Sequence, residues 1–250
     1  MQFRQFRTVD DLHRAAAAQA AASLAARLST RATVRLLAAT GSSQIPFLEA
    51  LVATPGIDWS RVELFHLDEY VGLADSHPAS FARFIRERLA EPAGIGHVHL
   101  INGCADPEAE VARLERELAR APIDLAFVGI GENGHLAFNE PPAQFETNRR
   151  LTVVDLDEVS RRQQVGEGWF TTLDDVPKRA ITLTIPAILS AGEILCIVYG
   201  ARKARAVAAC FNGPPHAMAP ASILATHPCA TIFLDAEAAS GLRLSAATGT

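Results

Sequence analysis

Short apolar runs that end in polar, glycine-containing loops and are followed by helical patterns recur along this chain, and that alternation restricts its fold more than any other feature. Val34-Arg35-Leu36-Leu37-Ala38-Ala39 leads into Thr40-Gly41-Ser42-Ser43 and a helical pattern over 46–52. The run 62–67 leads into Asp68-Glu69-Tyr70-Val71-Gly72 and a helical pattern over 80–89. The run 123–129 enters a glycine-rich segment that extends to Glu140, and the run 193–199 enters Gly200 and a helical pattern over 202–211. Runs this apolar fit strands covered on both faces, and strand, turn and helix in series fit parallel pairing through helical crossovers. Further strands are predicted over 98–101, 180–184 and 230–234, and further helices over 10–28, 106–120, 186–190 and 235–239. The expected fold is α/β, a doubly wound and mostly parallel sheet with helices on both faces, Rossmann-like in a modified form and contained in one domain over 1–250. Ligands of such sheets bind beyond the carboxyl ends of the strands.

Composition narrows the partners. Hydrophobic residues make up 49% and charged residues 20% of the chain, and 23 basic against 28 acidic residues are dispersed without blocks. Nucleic acid and membrane surfaces both call for a concentrated positive field, so neither is an expected partner. The Ala-rich run at 15–26 is interrupted by Gln19 and Ser23 and is too short to span a bilayer, and no secretory signal pattern is recognised. The four cysteines are far apart, with no paired spacing and no histidine at a zinc-ligand distance. Free thiols, a cytoplasmic location and a metal-free site are the expectations, with homo-oligomerisation left open.

Three strand-end loops carry the chemistry. Thr40-Gly41-Ser42-Ser43 stands where a strand gives way to a helix, so its N–H groups and hydroxyls can hold a phosphate; it lacks the Gly-Lys-Ser/Thr of a Walker loop. Asp68 and Glu69 are adjacent carboxylates whose side chains diverge, one toward the crevice and one toward the structure, and an acid at a strand end suits general-base work when burial raises its pKa. In Gly129-Ile130-Gly131-Glu132-Asn133-Gly134-His135 the glycines let the backbone turn tightly and present His135. Glu140, five residues on, is placed to hold the imidazole tautomer. Lys203, flanked by Arg202 and Arg205, opens the helix after the run 193–199 and can reach an anion in the same crevice.

Together and in this order these segments resemble glucosamine-6-phosphate deaminases, within the wider group that also holds 6-phosphogluconolactonases, from about Leu36 to Leu234. The strings that carry the resemblance are Thr40-Gly41-Ser42, Phe65 through Leu73 with His77-Pro78, Gly129 through Pro141, Asp175-Val176-Pro177, Lys203-Ala204, and Pro220-Ala221-Ser222 with His227. Lactonases of this group typically read Asp-Glu-Arg where this chain has Asp68-Glu69-Tyr70, and Ala-Ser-Leu-Phe-Pro where it has Ala137-Phe138-Asn139-Glu140-Pro141, so both positions favour a deaminase.

The resemblance implies conversion of glucosamine 6-phosphate to fructose 6-phosphate and ammonia with no metal or cofactor. It implies that His135 opens the sugar ring with support from Glu140, and that Asp68 moves a proton from C2 to C1 through an enolamine. The loop Thr40, Gly41, Ser42 and Ser43 with Lys203 then holds the phosphate, and Glu69 and Gly131 are added as substrate contacts. Two departures stand out. Asn133 occupies a position where many members carry Asp, and Gly168 stands where well-known deaminases carry a lid arginine. Either the clamp comes from Arg161 or Arg162, within a lid over about 143–176, or the preferred substrate differs. Residues of the allosteric site of some hexameric members are not recognisable, so no such activation is expected. Galactosamine 6-phosphate, a lactonase activity and a non-catalytic sugar-phosphate sensor are the alternatives.

Overall fold

A computed structural model describes residues 1–243. Seven strands form one sheet, parallel throughout: β1 (Gln2–Phe6), β2 (Val34–Ala38), β3 (Val62–His66), β5 (His97–His99), β6 (Leu125–Val128), β9 (Ile194–Val198) and β10 (Ala230–Asp235), in the order β1-β10-β9-β6-β2-β3-β5. Three more, β4 (Asp68–Tyr70), β7 (Leu151–Asp155) and β8 (Arg179–Leu183), form a separate antiparallel sheet in the order β4-β8-β7. The predicted run at 180–184 thus exists but belongs to this second sheet.

Helices cover both faces, because strand residues alternate between them. Val34, Leu36, Val62, Leu64, Leu125 and Phe127 pack with helix α1 (Val9–Leu28) and α2 (Ile45–Val52). Leu37, Phe65, Ala126 and Val128 point the other way, onto α5 (Pro107–Ala119), α7 (Ile185–Leu189) and α8 (Ala204–Phe211). The long α1 is capped by the Thr8 side chain, which accepts from the N–H of Asp11, so the cap precedes the expected start by two residues. The predicted helix over 80–89 divides into α3 (Phe81–Ile85), a π-helical turn (Arg86–Ala90) and α4 (Glu91–Ala93). Residues 236–241 make turns where the sequence predicts a helix over 235–239.

Arg35 lies inside the central strand β2, and the sheet buries it. Its guanidinium reaches the Glu117, Leu118 and Ala121 carbonyls at the C-terminus of α5, bonds Glu63 at 2.8 Å and lies 4.7 Å over the Phe65 ring. A cation there meets the negative end of the helix dipole and the carbonyls that lack helical donors.

The chain reverses direction across the sheet between β2 and β6: β2 is followed outward by β3 and β5, while β6 is followed on the other side by β9, β10 and β1. This reversal is the switch point at which α/β sheets open a crevice. The loops after β9, β6, β2 and β3 are contiguous there, and they are the four loops that the sequence marks as polar and glycine-containing.

Glu69 departs from its expected role as a substrate contact. Its carboxylate is buried and accepts from the N–H groups of Tyr70 (2.9 Å), Phe81 (3.2 Å) and Ala82 (2.8 Å) and from the Ser80 hydroxyl (2.7 Å), which ties β4 to the start of α3. Strand alternation places its neighbour Asp68 on the opposite side. Glu69→Ala is expected to lower stability by about 2–3 kcal/mol, the cost of stranding buried donors, measured by urea unfolding. A loss under about 0.5 kcal/mol contradicts this structural role.

Candidate active site

A cavity of ≈ 190 Å³ occupies the crevice, lined by Thr40, Gly41, Ser42 and Ser43 after β2, Asp68 after β3, Gly131 and His135 after β6, and Arg202 and Lys203 after β9. Helix α6 (Glu158–Gly166) and the loop after it cover the cavity with Gln163, Gln164, Glu167 and Trp169.

The β2 loop turns sharply at Gly41, whose φ of +105° is open to glycine and strained for other residues. A 3₁₀ turn over Ser42–Gln44 follows and runs into α2. The N–H groups of Gly41, Ser42 and Ser43 precede any intrahelical acceptor and carry the positive end of the helix dipole, which suits an anion. Across the cavity, Lys203 is mostly buried. Burial pulls its pKa down while the carboxylates of Glu167 and Glu132 push back, and the net is below the ordinary value. Arg202 lies beside it and is held 3.5 Å from Glu132.

His135 is fixed by a closed set of contacts within its own loop. The Asn133 side chain accepts from the His135 N–H at 3.1 Å and donates to Glu140 Oε2 at 2.6 Å, and Glu140 Oε1 lies 3.2 Å from His135 Nδ1. Gly131 lies against the imidazole: a Cβ there would fall 2.3 Å from ring atoms. Its N–H is bonded to the His135 carbonyl at 3.0 Å, so Gly131 supports the histidine and has no free donor for substrate. Asn139 anchors the far end of the loop by donating to the carbonyls of Leu136 and Leu183, each at 2.8 Å.

The two carboxyls of the site are in opposite electrostatic states. Burial, aided by the charge of Glu69, pushes Asp68 up to about 8. Burial acts on Glu140 too, but the His135 imidazole 3.2 Å away, with hydrogen bonds from Ser160 and Asn133, outweighs it and holds the carboxyl below its ordinary value. One group is thus poised to exchange a proton near neutral pH, and the other remains a fixed negative partner for the imidazole.

The arginines expected to clamp a phosphate do not face the cavity. Arg161 bonds the carbonyls of Leu173 and Val176 and closes the loop after α6. Arg162 is exposed and paired with Glu158 one helical turn back. The helical spacing explains this: the α6 face toward the cavity carries Gln163, Gln164 and Glu167, with the Gln163 amide donating to Glu167 Oε1 at 2.8 Å. Gln163, Gln164, Glu167 and Tyr199 belong to no motif that marks them as cavity residues in the sequence.

Beneath α6 lies a small aromatic core of Tyr70, Phe138 and Phe170, with Phe81 packed against it and ring centroids 4.9–5.6 Å from Tyr70. Strand β7 was absorbed into the expected lid, although its Leu-Thr-Val-Val alternation was visible; it pairs with β8 along its whole length.

Among the described residues, Glu63, His99 and Glu117 bring ligand atoms within 4.8 Å of one another at the edge of the main sheet. Arg35 and Arg120 already pair with those two carboxylates, so guanidinium charge stands where a cation would. Also among the described residues, no helix is long and apolar enough to cross a membrane.

A parallel sheet with its crevice at the switch point, an anion-accepting loop and acid–base groups facing one cavity define an α/β enzyme that moves protons on a small anionic substrate. Comparison with known proteins gives the family. Residues 7–233 match the model for glucosamine-6-phosphate isomerases/6-phosphogluconolactonase. The chain is 39% identical over 215 residues to a glucosamine-6-phosphate deaminase from Exiguobacterium sp., covering 86% of this chain and 83% of that protein. It is 40% identical over 213 residues to one from Pseudarthrobacter chlorophenolicus, covering 83% and 81%. A solved monomeric glucosamine-6-phosphate deaminase superposes with a TM-score of 0.89 at 31% identity, over 97% of this chain and 100% of that one. A 6-phosphogluconolactonase from Shewanella baltica shares the fold, with a TM-score of 0.77 at 23% identity over 94% and 98%. This chain belongs to the glucosamine-6-phosphate isomerase/6-phosphogluconolactonase family.

The raised Asp68 carboxyl predicts a pH-dependent stability. A folded-state pKa of about 8 against an unfolded value near 3.9 means that the folded protein holds a proton the unfolded chain has released between those limits. Stability contributed at this position therefore falls as pH rises from about 4 to about 8 and is flat above. Asp68→Asn, which has no proton to lose, is expected to gain in Tm over the native chain from pH 5 to pH 8 and to hold that gain at pH 9. A Tm difference that does not change with pH contradicts the desolvated state of Asp68.

Proposed function

We propose that the protein deaminates and isomerises glucosamine 6-phosphate, giving fructose 6-phosphate and ammonia. The observation that carries this reading is the pairing, in one cavity, of a carboxyl pushed up to about 8 with an imidazole backed by an ionised carboxylate. Two acid–base groups of different strength serve a reaction with two separate proton transfers. The relatives named glucosamine-6-phosphate deaminases agree with it.

In the proposed sequence the phosphate lies at the β2 loop and is held by the N–H groups of Gly41, Ser42 and Ser43, the hydroxyls of Thr40, Ser42 and Ser43, and the ammonium of Lys203. Arg202, which lines the cavity beside Lys203, supplies the second positive charge that α6 lacks. His135, oriented through Nδ1 by Glu140, exchanges the proton between the ring oxygen and O1, and the ring opens to the aldehyde. Ionised Asp68 takes the proton from C2, leaving an enolamine, and returns a proton to C1. The resulting imine at C2 is hydrolysed by water to the ketone with loss of ammonia. Asn133 cannot ionise and acts by orienting Glu140 and the His135 backbone. Helix α6 and the loop to Val176 serve as the lid. A cytoplasmic site of action is part of the same proposal.

Incubation with glucosamine 6-phosphate is expected to release equal amounts of ammonia and fructose 6-phosphate. No ammonia from glucosamine 6-phosphate or galactosamine 6-phosphate, together with hydrolysis of 6-phosphogluconolactone, overturns the proposal, and binding without turnover makes the chain a sensor. His135→Ala is expected to lower kcat about a hundredfold or more. Arg202→Gln is expected to raise KM about tenfold with kcat within about twofold, the loss of one charge-assisted contact made equally in ground and transition states. Unchanged KM removes Arg202 from the phosphate site.

A further inference from the structure

The lid helix touches more than the cavity. Ser160, in the first turn of α6, is buried, and its hydroxyl bonds Glu140 Oε1. That oxygen is the one lying 3.2 Å from His135 Nδ1, while Oε2 is taken by Asn133. The position of Ser160 is fixed in turn by the helix cap, since its N–H donates to Asp157 Oδ1 at 2.7 Å. Of the three side chains that contact the Glu140 carboxylate among the described residues, His135 and Asn133 belong to its own loop, and Ser160 alone comes from α6.

We propose that Ser160 is a positioning residue that makes the orientation of His135 depend on the placement of α6 over the cavity. The inference rests on the reading of His135 and Glu140 as the ring-opening pair. A carboxylate held at Oε2 alone rotates about its terminal torsion, which is broad and weakly restricted. The Ser160 hydroxyl removes that freedom by fixing Oε1, and a fixed Oε1 keeps the proton on Nδ1, so that Nε2 presents its lone pair to the substrate. Asn133 makes this second tether more important, because its amide brings one donor to the carboxylate and no charge to the imidazole. The same helix carries Gln163, Gln164 and Glu167 into the cavity less than two turns further on. Here α6 covers the cavity and Ser160 is seated on Glu140; when α6 lifts, the tether breaks and the histidine loses its fixed tautomer. Acid–base chemistry is then confined to the covered, water-excluding state.

Ser160→Ala removes the hydroxyl alone, and Ser160→Cys keeps the side chain's size with a much weaker donor. Both are compared with the native chain in steady-state turnover of glucosamine 6-phosphate and by ¹⁵N NMR of the His135 ring in the ligand-free protein at neutral pH. Expected for both variants are a kcat about tenfold lower, a KM changed by less than about threefold, and ring shifts that move from the single Nδ1–H tautomer toward a mixture. Native kcat and native ring shifts in either folded variant overturn the proposal. A lowered kcat with native ring shifts overturns it as well, because Ser160 then acts by another route. Should the native chain fail to turn over glucosamine 6-phosphate, the functional reading falls, while the ring shifts still decide whether Ser160 governs the imidazole.

Discussion

Every functional feature of this chain depends on one reversal in its sheet. Because β2 and β6 are neighbours whose chains run outward in opposite directions, the loops after β9, β6, β2 and β3 open side by side. A parallel sheet directs all of its carboxyl ends the same way, so four segments separated by up to about 160 residues along the chain face a common space with no further folding event. The anion-accepting turn, the raised carboxyl, the histidine loop and the cation pair each arrive from a different strand. Neither α5 with its buried Arg35 cap nor the Ala-rich face of α1 enters the chemistry, but both cover the sheet and keep those strand ends in place.

Within that space, two carboxyls of almost the same intrinsic acidity are driven apart by what surrounds them. Asp68 receives no compensating donor strong enough to offset burial, and Glu69 adds a like charge from the next residue. Glu69 itself is buried as well, yet four donors engage it and tie it to α3. Glu140 is surrounded by an imidazole, an amide and a hydroxyl that favour its ionised form. The division of labour between proton carrier and fixed partner is therefore a matter of hydrogen-bond supply rather than of residue type. Ser160 extends that supply across the cavity to α6, so the state of the lid and the state of the histidine belong to one network.

Much of this was legible in the sequence, and what was not has a physical cause. Apolar runs such as 34–39 and 193–199 are buried on both faces and announce themselves, as do the glycine loops that follow them. Strand β1 was not recognised because an edge strand with Gln2, Arg4 and Gln5 reads as a polar tail until Phe6 is seen stacked on Phe233, with centroids 6.1 Å apart. Strand ends and glycine spacing single out Asp68, His135, Glu140, Lys203 and the Thr40 loop, and all of these but Glu140 line one cavity. Arg161 and Arg162 turn away from the cavity: charge is visible in a sequence, while the rotation of α6 is set by its packing on the small aromatic core. Ser160 left no trace, because a serine in a first helical turn looks like any other residue near a cap.

Central to the proposed reaction is that Asp68 carries a proton between adjacent carbons of an amino-sugar phosphate within this cavity. It is tested most directly by a single turnover of glucosamine 6-phosphate deuterated at C2, followed by NMR of the products from the native chain and from Asp68→Asn. The native chain is predicted to release ammonia and give fructose 6-phosphate whose deuterium is at C1 or exchanged into water, while Asp68→Asn leaves the C2 label in unreacted substrate. Ammonia release by Asp68→Asn at the native rate, or a native chain that leaves the C2 deuterium untouched, would contradict it.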